Sequence, residues 1–293
     1  MRYSRLLIVS IFCAASAALA SDDGVFVNPH VLERAGVPQT VVWNARGSQA
    51  NIVGTTGGLV SGAAACRLNV SLYDTSELLD LFVAASHGQR KAAKYDIAYI
   101  GKPSEQSSLY SITLEPMVLN LPACDADSKE PRCAEASFRH RELPVKAGIS
   151  GTTSRARIEA KKQKQWLPAN FRLRCGDINT TRVQTVESVE LHLKEVTDTD
   201  VVIEEPTFAF TLPMSDAGPF RKLLEEAMAG KQTAIPLRLE YLDENGVPLF
   251  TIDTEVFVMS VGPKDMFAPP SPDALARVEA KSKWYPIVVR PSL

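Results

Sequence analysis

The second half of this chain repeats the apolar pattern of its first half. Residues 66–119 lie over residues 206–259 with matching apolar positions in most of the strand-like and helix-like segments. The segments 68–72 and 109–117 match at an offset of 140 (208 − 68 and 249 − 109), whereas the helix-like segment between them matches at 142 (220 − 78). The offset therefore changes by two residues before the helix-like segment and again after it. Both changes fall in loops, where a packed fold tolerates insertions and deletions. The sequence therefore predicts two copies of one fold.

Each copy consists of strands, one short helix, and then a hairpin with a final strand. In copy two the helix includes Pro219 in its first turn, has one apolar face and ends at Gly230. Apolar and polar residues then alternate on both sides of Asn245-Gly246, which is a strong signal for a hairpin. We therefore predict a mainly β (α+β) protein of two tandem antiparallel β-barrel or sandwich domains, each flanked by one short helix. The helix faces are formed by Leu78, Leu81, Phe82 and Ala85 in copy one and by Phe220, Leu223, Leu224 and Ala227 in copy two.

The first twenty residues have the features of an export signal. Arg2 and Arg5 give a basic start, residues 6–12 are apolar, and Ala18-Leu19-Ala20 is a small-residue cleavage site. The apolar run is too short for a stable membrane anchor, and no other stretch of the sequence is long and apolar enough to span a bilayer. We therefore expect a periplasmic or secreted protein with no transmembrane segment after cleavage. The predicted divisions are a signal peptide (1–20), copy one (21–150), a basic linker (151–165) and copy two (166–293).

The charge balance argues against a nucleic-acid partner. The net charge is −2, and it becomes −4 once Arg2 and Arg5 are removed (−2 − 2), whereas domains that bind nucleic acid carry a basic excess. The composition, with 45% hydrophobic and 23% charged residues, is that of an ordinary globular protein. No motif in the sequence predicts a cofactor.

Four cysteines remain after the signal is removed, and an even set in an oxidising compartment predicts two disulfides with three possible pairings. Cys124 and Cys133 flank a polar loop and form the natural local pair. This pairing leaves Cys66 for Cys175 and would tie the two copies together. A zinc site is the alternative, although the spacings lack any pair separated by two to four residues.

Two segments of opposite charge lie at the join between the copies. The stretch 155–174 is basic and the stretch 187–205 is acidic. They are either solvated surface or complementary patches that dock neighbouring subunits, since opposite charges steer association. The candidate interface residues are Arg155, Arg157, Lys161, Lys162, Lys164, Glu187, Glu190, Glu204 and Glu205.

The sequence contains no recognisable catalytic motif. There are only four histidines, none of them in a His-Glu-x-x-His helix, and there is no Gly-x-Ser-x-Gly elbow. Adjacent carboxylates such as Glu204 and Glu205 point to opposite faces of a strand. Glu115 and Glu255 match each other at the offset of 140, which favours a role in the fold or in assembly. We therefore expect a non-enzymatic protein.

The order of these parts resembles the haemolysin-coregulated protein (Hcp) family of type VI secretion systems and the related phage tail-tube proteins. The resemblance rests on a strand that ends at a Gly-Asp turn (171–177), a Pro-x-x-x-Leu-Leu helix (219–230) and a strand with alternating apolar residues (256–261). Copy one has the same parts in residues 76–88 and 110–121. The resemblance implies a small barrel or sandwich in each copy, no enzymatic activity, and a ring of six domains, which three tandem chains would complete.

The function expected on these grounds is that of an exported structural or binding protein built from two Hcp-like tube-type domains. It would work through protein partners or self-assembly, with a trimer of tandems as one ring, in a secretion or cell-envelope system. Two alternatives stay open. One is a periplasmic inhibitor or immunity protein that binds a toxin, and the other is a secreted hydrolase with a site between the two copies.

Overall fold

The computed structural model describes part of the chain. The backbone is described for residues 39–44, 49–52, 57–60, 63–73, 77–100, 108–140, 145–147, 164–265 and 274–291. Side chains are described for residues 69–73, 77–93, 113–139, 164–265 and 274–291. The predicted export signal lies outside the described residues, as do Arg155, Arg157, Lys161 and Lys162 of the predicted interface.

The described chain is built mainly from strands. The strands, numbered along the chain, are β1 (Gln39–Asn44), β2 (Gln49–Ile52), β3 (Gly57–Val60), β4 (Ala63–Val70), β5 (Ala93–Ile100), β6 (Ser108–Leu121), β7 (Cys124–Asp125), β8 (Ala134–His140), β9 (Val145–Ala147), β10 (Phe171–Cys175), β11 (Thr185–Val186), β12 (Val189–Glu195), β13 (Val201–Ile203), β14 (Thr207–Pro213), β15 (Ile235–Leu242), β16 (Pro248–Pro263), β17 (Leu275–Ser282) and β18 (Ile287–Val289). The helices are α1 (Asp80–Ser86) and α2 (Gly218–Met228), and the 3-10 turn Met214–Asp216 precedes α2.

The strands of copy one pair in a closed antiparallel ring. β6 pairs with β5, β5 with β1, β1 with β2, β2 with β4, β4 with β8, and β8 again with β6. The contact between β2 and β4 is a single residue pair, Ile52 with Val70. Copy two has the order β10–β15–β16–β17–β14–β11, also antiparallel throughout. The predicted fold class, mainly β with antiparallel barrel or sandwich copies, is therefore confirmed.

The two copies correspond at one offset, 142, in their central hairpins. Tyr95 of β5 pairs with Ile112 of β6, and Leu237 of β15 pairs with Thr254 of β16 (237 − 95 and 254 − 112). The match at 140 for the strand after the hairpin is therefore wrong by two residues. The apolar pattern cannot detect this error, because side chains alternate with a period of two and a shift of two keeps every residue on its own face.

The corrected register changes which residues are equivalent. Phe257, and not Glu255, occupies the position of Glu115, since Glu115 pairs with β8 where Phe257 pairs with β17. Both long strands have an irregularity at an equivalent methionine, Met117 in β6 and Met259 in β16. The shared irregularity supports the constant offset, because β-bulges are fixed features of a fold.

The two copies exchange strands with each other. β12 of copy two pairs with β6 of copy one, where Leu191 lies opposite Leu119, and β7 of copy one pairs with β11 of copy two. β18 lies against α1, where the N–H of Val288 donates to Oγ of Ser86 at 3.0 Å. A single apolar core therefore contains residues of both copies. The predicted domain boundaries stay predictions, and the paired strands cross them.

Candidate functional site

A pocket of about 220 Å³ lies where the β12–β13 hairpin of copy two meets copy one. We call it the seam pocket, and its lining includes Lys91 and a cluster of four charged residues, Arg90, Glu115, Arg139 and Glu195, which we call the seam cluster. β6 positions Glu115, β8 positions Arg139 on the neighbouring strand, β12 positions Glu195, and Arg90 follows α1. The pocket therefore collects charged side chains that are far apart in the sequence.

Two arginines of copy one bind two carboxylates, one from each copy. Nε of Arg90 donates to Oε1 of the buried Glu115 at 3.2 Å, and Nη2 of Arg139 donates to Oε2 of the same carboxylate at 3.1 Å. Nη2 of Arg90 donates to Glu195 at 3.0 Å, and Arg139 also binds Glu195. Nη1 of Arg90 donates to the carbonyl of Asp198 at 3.1 Å. The cluster therefore fastens the hairpin of copy two to copy one.

The electrostatics of the cluster favour the charged forms of Glu195 and Arg139. The hydrogen bond from Arg139 lowers the pKa of the Glu195 carboxyl, and the same bond is the main cause of the raised pKa of the Arg139 guanidinium. Catalytic acids and bases need the opposite arrangement, since their pKa values are brought close to the working pH. The cluster is therefore suited to holding charges in place.

His192 also lines the seam pocket, but its printed partner is another residue on β12. Its Nε2 lies 3.0 Å from Oε2 of Glu190, and both side chains are exposed. A hydrolase site between the copies needs a histidine and a carboxylate that converge on one reacting atom. Here Glu115 and Glu195 are held by arginines instead. This geometry supports a structural role for the seam pocket.

A second concavity of about 540 Å³ lies on the outer surface of copy two. We call it the aromatic groove, because Trp284 and Tyr285 line it and both are more than half exposed. Nε1 of Trp284 donates to Oε2 of Glu255 at 3.1 Å, which fixes the indole ring. Arg238 of β15 and Asp253 of β16, which lie opposite each other in the sheet, form a two-point ion pair in the lining of the groove. The arrangement provides an exposed apolar surface beside paired charges.

The predicted disulfide between Cys124 and Cys133 is not formed in the structure. Cys124, Cys133 and Cys175 are free thiols, so the predicted pairing of Cys175 with Cys66 is not formed either. The side chain of Cys66 itself lies outside the described residues. Cys124 is buried against Tyr241 in the core, whereas Cys133 is half-buried in the segment before β8. Burial raises the pKa of the Cys175 thiol to about 12 and raises the pKa of the Cys133 thiol as well.

Among the predicted interface residues, those that the structure describes do not form one site. Those with described side chains are Lys164, Glu187, Glu190, Glu204 and Glu205. Lys164 forms an ion pair with Glu244, and Nε of Arg277 donates to Oε1 of Glu187 at 2.7 Å, so both residues have partners within the chain. Glu204 and Glu205 are exposed next to β13. Their role in docking stays a prediction.

Sequence reasoning missed the seam cluster. Glu115 was selected as a residue of the fold or of assembly, but nothing in the local pattern indicated Arg90 or Arg139 as its partners. Glu195 lies 105 residues beyond Arg90 in the chain, and only the added strand β12 brings them together. The one available signal was a carboxylate between apolar strand residues, which requires a buried partner.

No family model and no curated protein matches this chain. Within the described ranges, no helix is long and apolar enough to cross a membrane. In the same part of the chain, no three His, Cys, Asp or Glu side chains form a group that could hold a metal ion. The resemblance to the Hcp family stays a prediction.

Proposed function

We propose that this chain is an exported, non-enzymatic structural protein that self-associates by adding strands at the edges of its sheets. It would be built from two Hcp-like domains and would act in a secretion or cell-envelope system. The proposal rests on the charge pattern and on the site geometry. The arginines and carboxylates of the seam pocket bind each other, which suits a clamp better than a reaction centre.

A single observation supports the proposal most strongly: β12 of copy two is added to the edge of β6 in copy one. The apolar residues at this contact are all buried: Leu119 and Leu121 of β6, and Val189 and Leu191 of β12. Main-chain hydrogen bonds of an added strand supply affinity, and pockets for alternate side chains supply specificity. The chain therefore already contains a working example of the contact by which it would assemble.

The test of the proposed function is the solution mass of the exported chain. We would measure it by light scattering behind a sizing column over a hundredfold range of concentration. A mass of two or more chains supports self-association, and a multiple of three supports the six-domain ring that the resemblance implies. A mass of one chain at every concentration would overturn the proposal.

A second candidate function is the binding of a different protein, as an inhibitor or immunity protein does. The aromatic groove favours it, because large exposed apolar side chains beside a concavity mark interaction sites. The partner would be captured by crosslinking in the envelope fraction of the source cells. Trp284→Ala should lose it, whereas Val247→Ala, which also changes an exposed apolar residue of copy two, should retain it. Equal recovery with both variants would exclude the groove as the binding surface.

A further inference from the structure

The open edge of β16 in copy two is the equivalent of the edge that receives β12 in copy one. We infer that this edge, residues 259–263, docks a second copy of the same chain through antiparallel strand addition. The inference rests on the proposed function and names its partner and its contact surface.

The register identifies the edge. β12 pairs with residues 118–121 of β6, and the constant offset of 142 places residues 260–263 of β16 at the same position. On one side these residues pair with β17. On the other side the pairing with β15 ends at Val256, and no strand of the described chain pairs with the residues beyond it.

The backbone groups of Val261 face this open side. Lys264 donates its N–H to the carbonyl of Leu275 at 2.8 Å, so Lys264 is turned toward β17. Successive residues of an antiparallel strand alternate between the two neighbouring strands, which turns Gly262 toward β17 and Val261 away from it. Its equivalent in copy one, Leu119, pairs with Leu191 of β12. Val261 therefore offers an N–H and a carbonyl at the place where copy one receives its added strand.

The side chains show the same contrast. Leu119, which pairs with Leu191 of β12, is fully buried, whereas its equivalent, Val261, is only partly buried. Met259 is 51% exposed at the irregularity of the open edge. An exposed sheet edge with apolar side chains is a ready template for another strand, and proteins usually protect such edges. The edge therefore has the features of a contact surface without its partner.

Two arguments favour a second copy with two-fold symmetry as the occupant. The hairpin that serves copy one is already engaged within the chain, so the edge of copy two needs a donor from another molecule. A two-fold axis at Val261 would place a second β16 antiparallel to the first, the same sense in which β12 meets β6, and two-fold dimers are the commonest assemblies. In this register Lys264 faces Val258 and Asp265 faces Phe257, so no like charges oppose each other.

The helix beside the edge argues against a simple repetition of the contact between the copies. β13 and β18 lie against α1, where Ala84 and the preceding residue Leu79 are buried. The equivalent residues of copy two are Arg221 and Glu226, and Arg221 is exposed. A neighbour arranged in the same way would have to desolvate these charges, which is costly without matched partners. A contact limited to the strand edge avoids this cost.

The test uses variants of the edge in the full exported chain. Val261→Pro removes the N–H that faces the open side, and a proline is tolerated at an edge whose N–H faces solvent. Met259→Lys adds a charge that blocks edge pairing. We expect Val261→Pro to raise the dissociation constant of the dimer about tenfold or more, as the loss of two hydrogen bonds across the two-fold axis predicts, and we expect Met259→Lys to raise it as well. The controls are Val261→Thr, which keeps the N–H, and Val247→Lys, since Val247 is also 51% exposed.

A crosslink tests the symmetry. The proposed axis places Val261 opposite its own copy, at a Cα separation of about 5.5 Å that a disulfide can span. Val261→Cys should therefore form a reducible dimer, and Val247→Cys should not. If Val261→Pro unfolds the chain, Met259→Lys decides the question, because it changes an exposed side chain.

The outcomes separate this inference from the proposed function. A dimer weakened by the edge variants but not by the controls supports both. An oligomer whose dissociation constant is unchanged by the edge variants, or one whose mass is an odd multiple of three chains, supports the proposed function. Either result would overturn the inference that the edge of β16 docks a second copy. A monomer at every concentration overturns both.

Discussion

The two helices occupy equivalent places in the two copies, yet their surroundings differ. In α1, Leu81, Phe82, Ala84 and Ala85 are buried, and so is Leu79, the residue directly before the helix. In α2 only Phe220 is buried, and Met228 is 82% exposed. The core-facing apolar pattern is the same in both helices. The difference in burial therefore comes from a second face of each helical segment, to which Leu79 and Ala84 belong in copy one.

Whether this second face is buried depends on the elements that cover it. β13 and β18 of copy two lie against α1, while α2 contacts mainly β16 of its own copy. The sequence is adapted to this arrangement, because copy one has Leu79 and Ala84 where copy two has Arg221 and Glu226. Copy one is thus the inner member of the pair and copy two is the outer one. In a duplicated fold, one copy can therefore provide the surface that is covered, here α1 and β6, and the other copy can provide the strands that cover it.

The largest effect should come from truncating equivalent core residues of the two helices. Phe82 is fully buried and meets Phe138 at a ring distance of 5.8 Å, whereas its equivalent, Leu224, is only partly buried. Phe82→Ala should lower the free energy of unfolding by about 3–5 kcal/mol, since it leaves a cavity in a closed core. Leu224→Ala should cost about 1 kcal/mol, because water and neighbouring side chains can fill the site. Urea unfolding of both variants measures the difference.

The slope of the urea transition serves as the internal control. If both variants keep the wild-type slope, the midpoints report stability alone. Equal losses for Phe82→Ala and Leu224→Ala would contradict the distinction between an inner and an outer copy.

The fold was predictable from local pattern, and the arrangement of the copies was not. The alternation on both sides of Asn245-Gly246 predicted the hairpin of β15 and β16, and the helix spacing predicted the face of Phe220. The addition of β12 to β6 depends on a partner about 70 residues away (189 − 121), and no local rule selects that partner. The offset of 140 failed for a related reason, because a shift of two residues leaves strand alternation unchanged.

The seam cluster was only half predictable. Glu115 stood out in the sequence as a carboxylate within a strand, but it was matched with Glu255, which is half-exposed and binds Lys283 and Trp284. The two carboxylates therefore serve different purposes, and their partners come from segments that only the folded chain brings together.

A smaller effect should separate these two carboxylates. The side chain of Glu115 is 6% exposed and binds Arg90 and Arg139, while that of Glu255 is 46% exposed. Glu115→Gln keeps the shape but removes the charge that both arginines face, so it should cost about 2–3 kcal/mol. Glu255→Gln should cost less than about 1 kcal/mol, as exposed ion pairs do. Chemical denaturation of the two isosteric variants gives both values, and equal costs would restore the equivalence predicted from the sequence.

The smallest effect is the pH dependence of stability. It compares Glu195, whose arginine partners belong to copy one, with Glu187, whose partner belongs to copy two as Glu187 does. Hydrogen bonds from arginines lower the pKa of the Glu195 carboxyl, through Arg139, and that of the Glu187 carboxyl, through Arg277, below the ordinary value of 4.5. Because each folded-state pKa is lowered, each carboxylate adds stability above pH 4.5, and this stability is lost as the pH falls through the lowered value. Both side chains are about half exposed, so each contribution is less than about 1 kcal/mol.

The location of the loss distinguishes the two residues. Glu195→Gln should lower the protection of the amide hydrogens of the β12–β13 hairpin against exchange at neutral pH. The variant should then lose no further protection as the pH falls, because the charge that Arg90 and Arg139 hold is missing at every pH. Glu187→Gln should leave exchange in that hairpin unchanged, since its partner lies on β17. If both variants accelerate exchange in the hairpin to the same extent, the arginine cluster does not fasten it, and the apolar contacts of Val189 and Leu191 hold copy two against copy one by themselves.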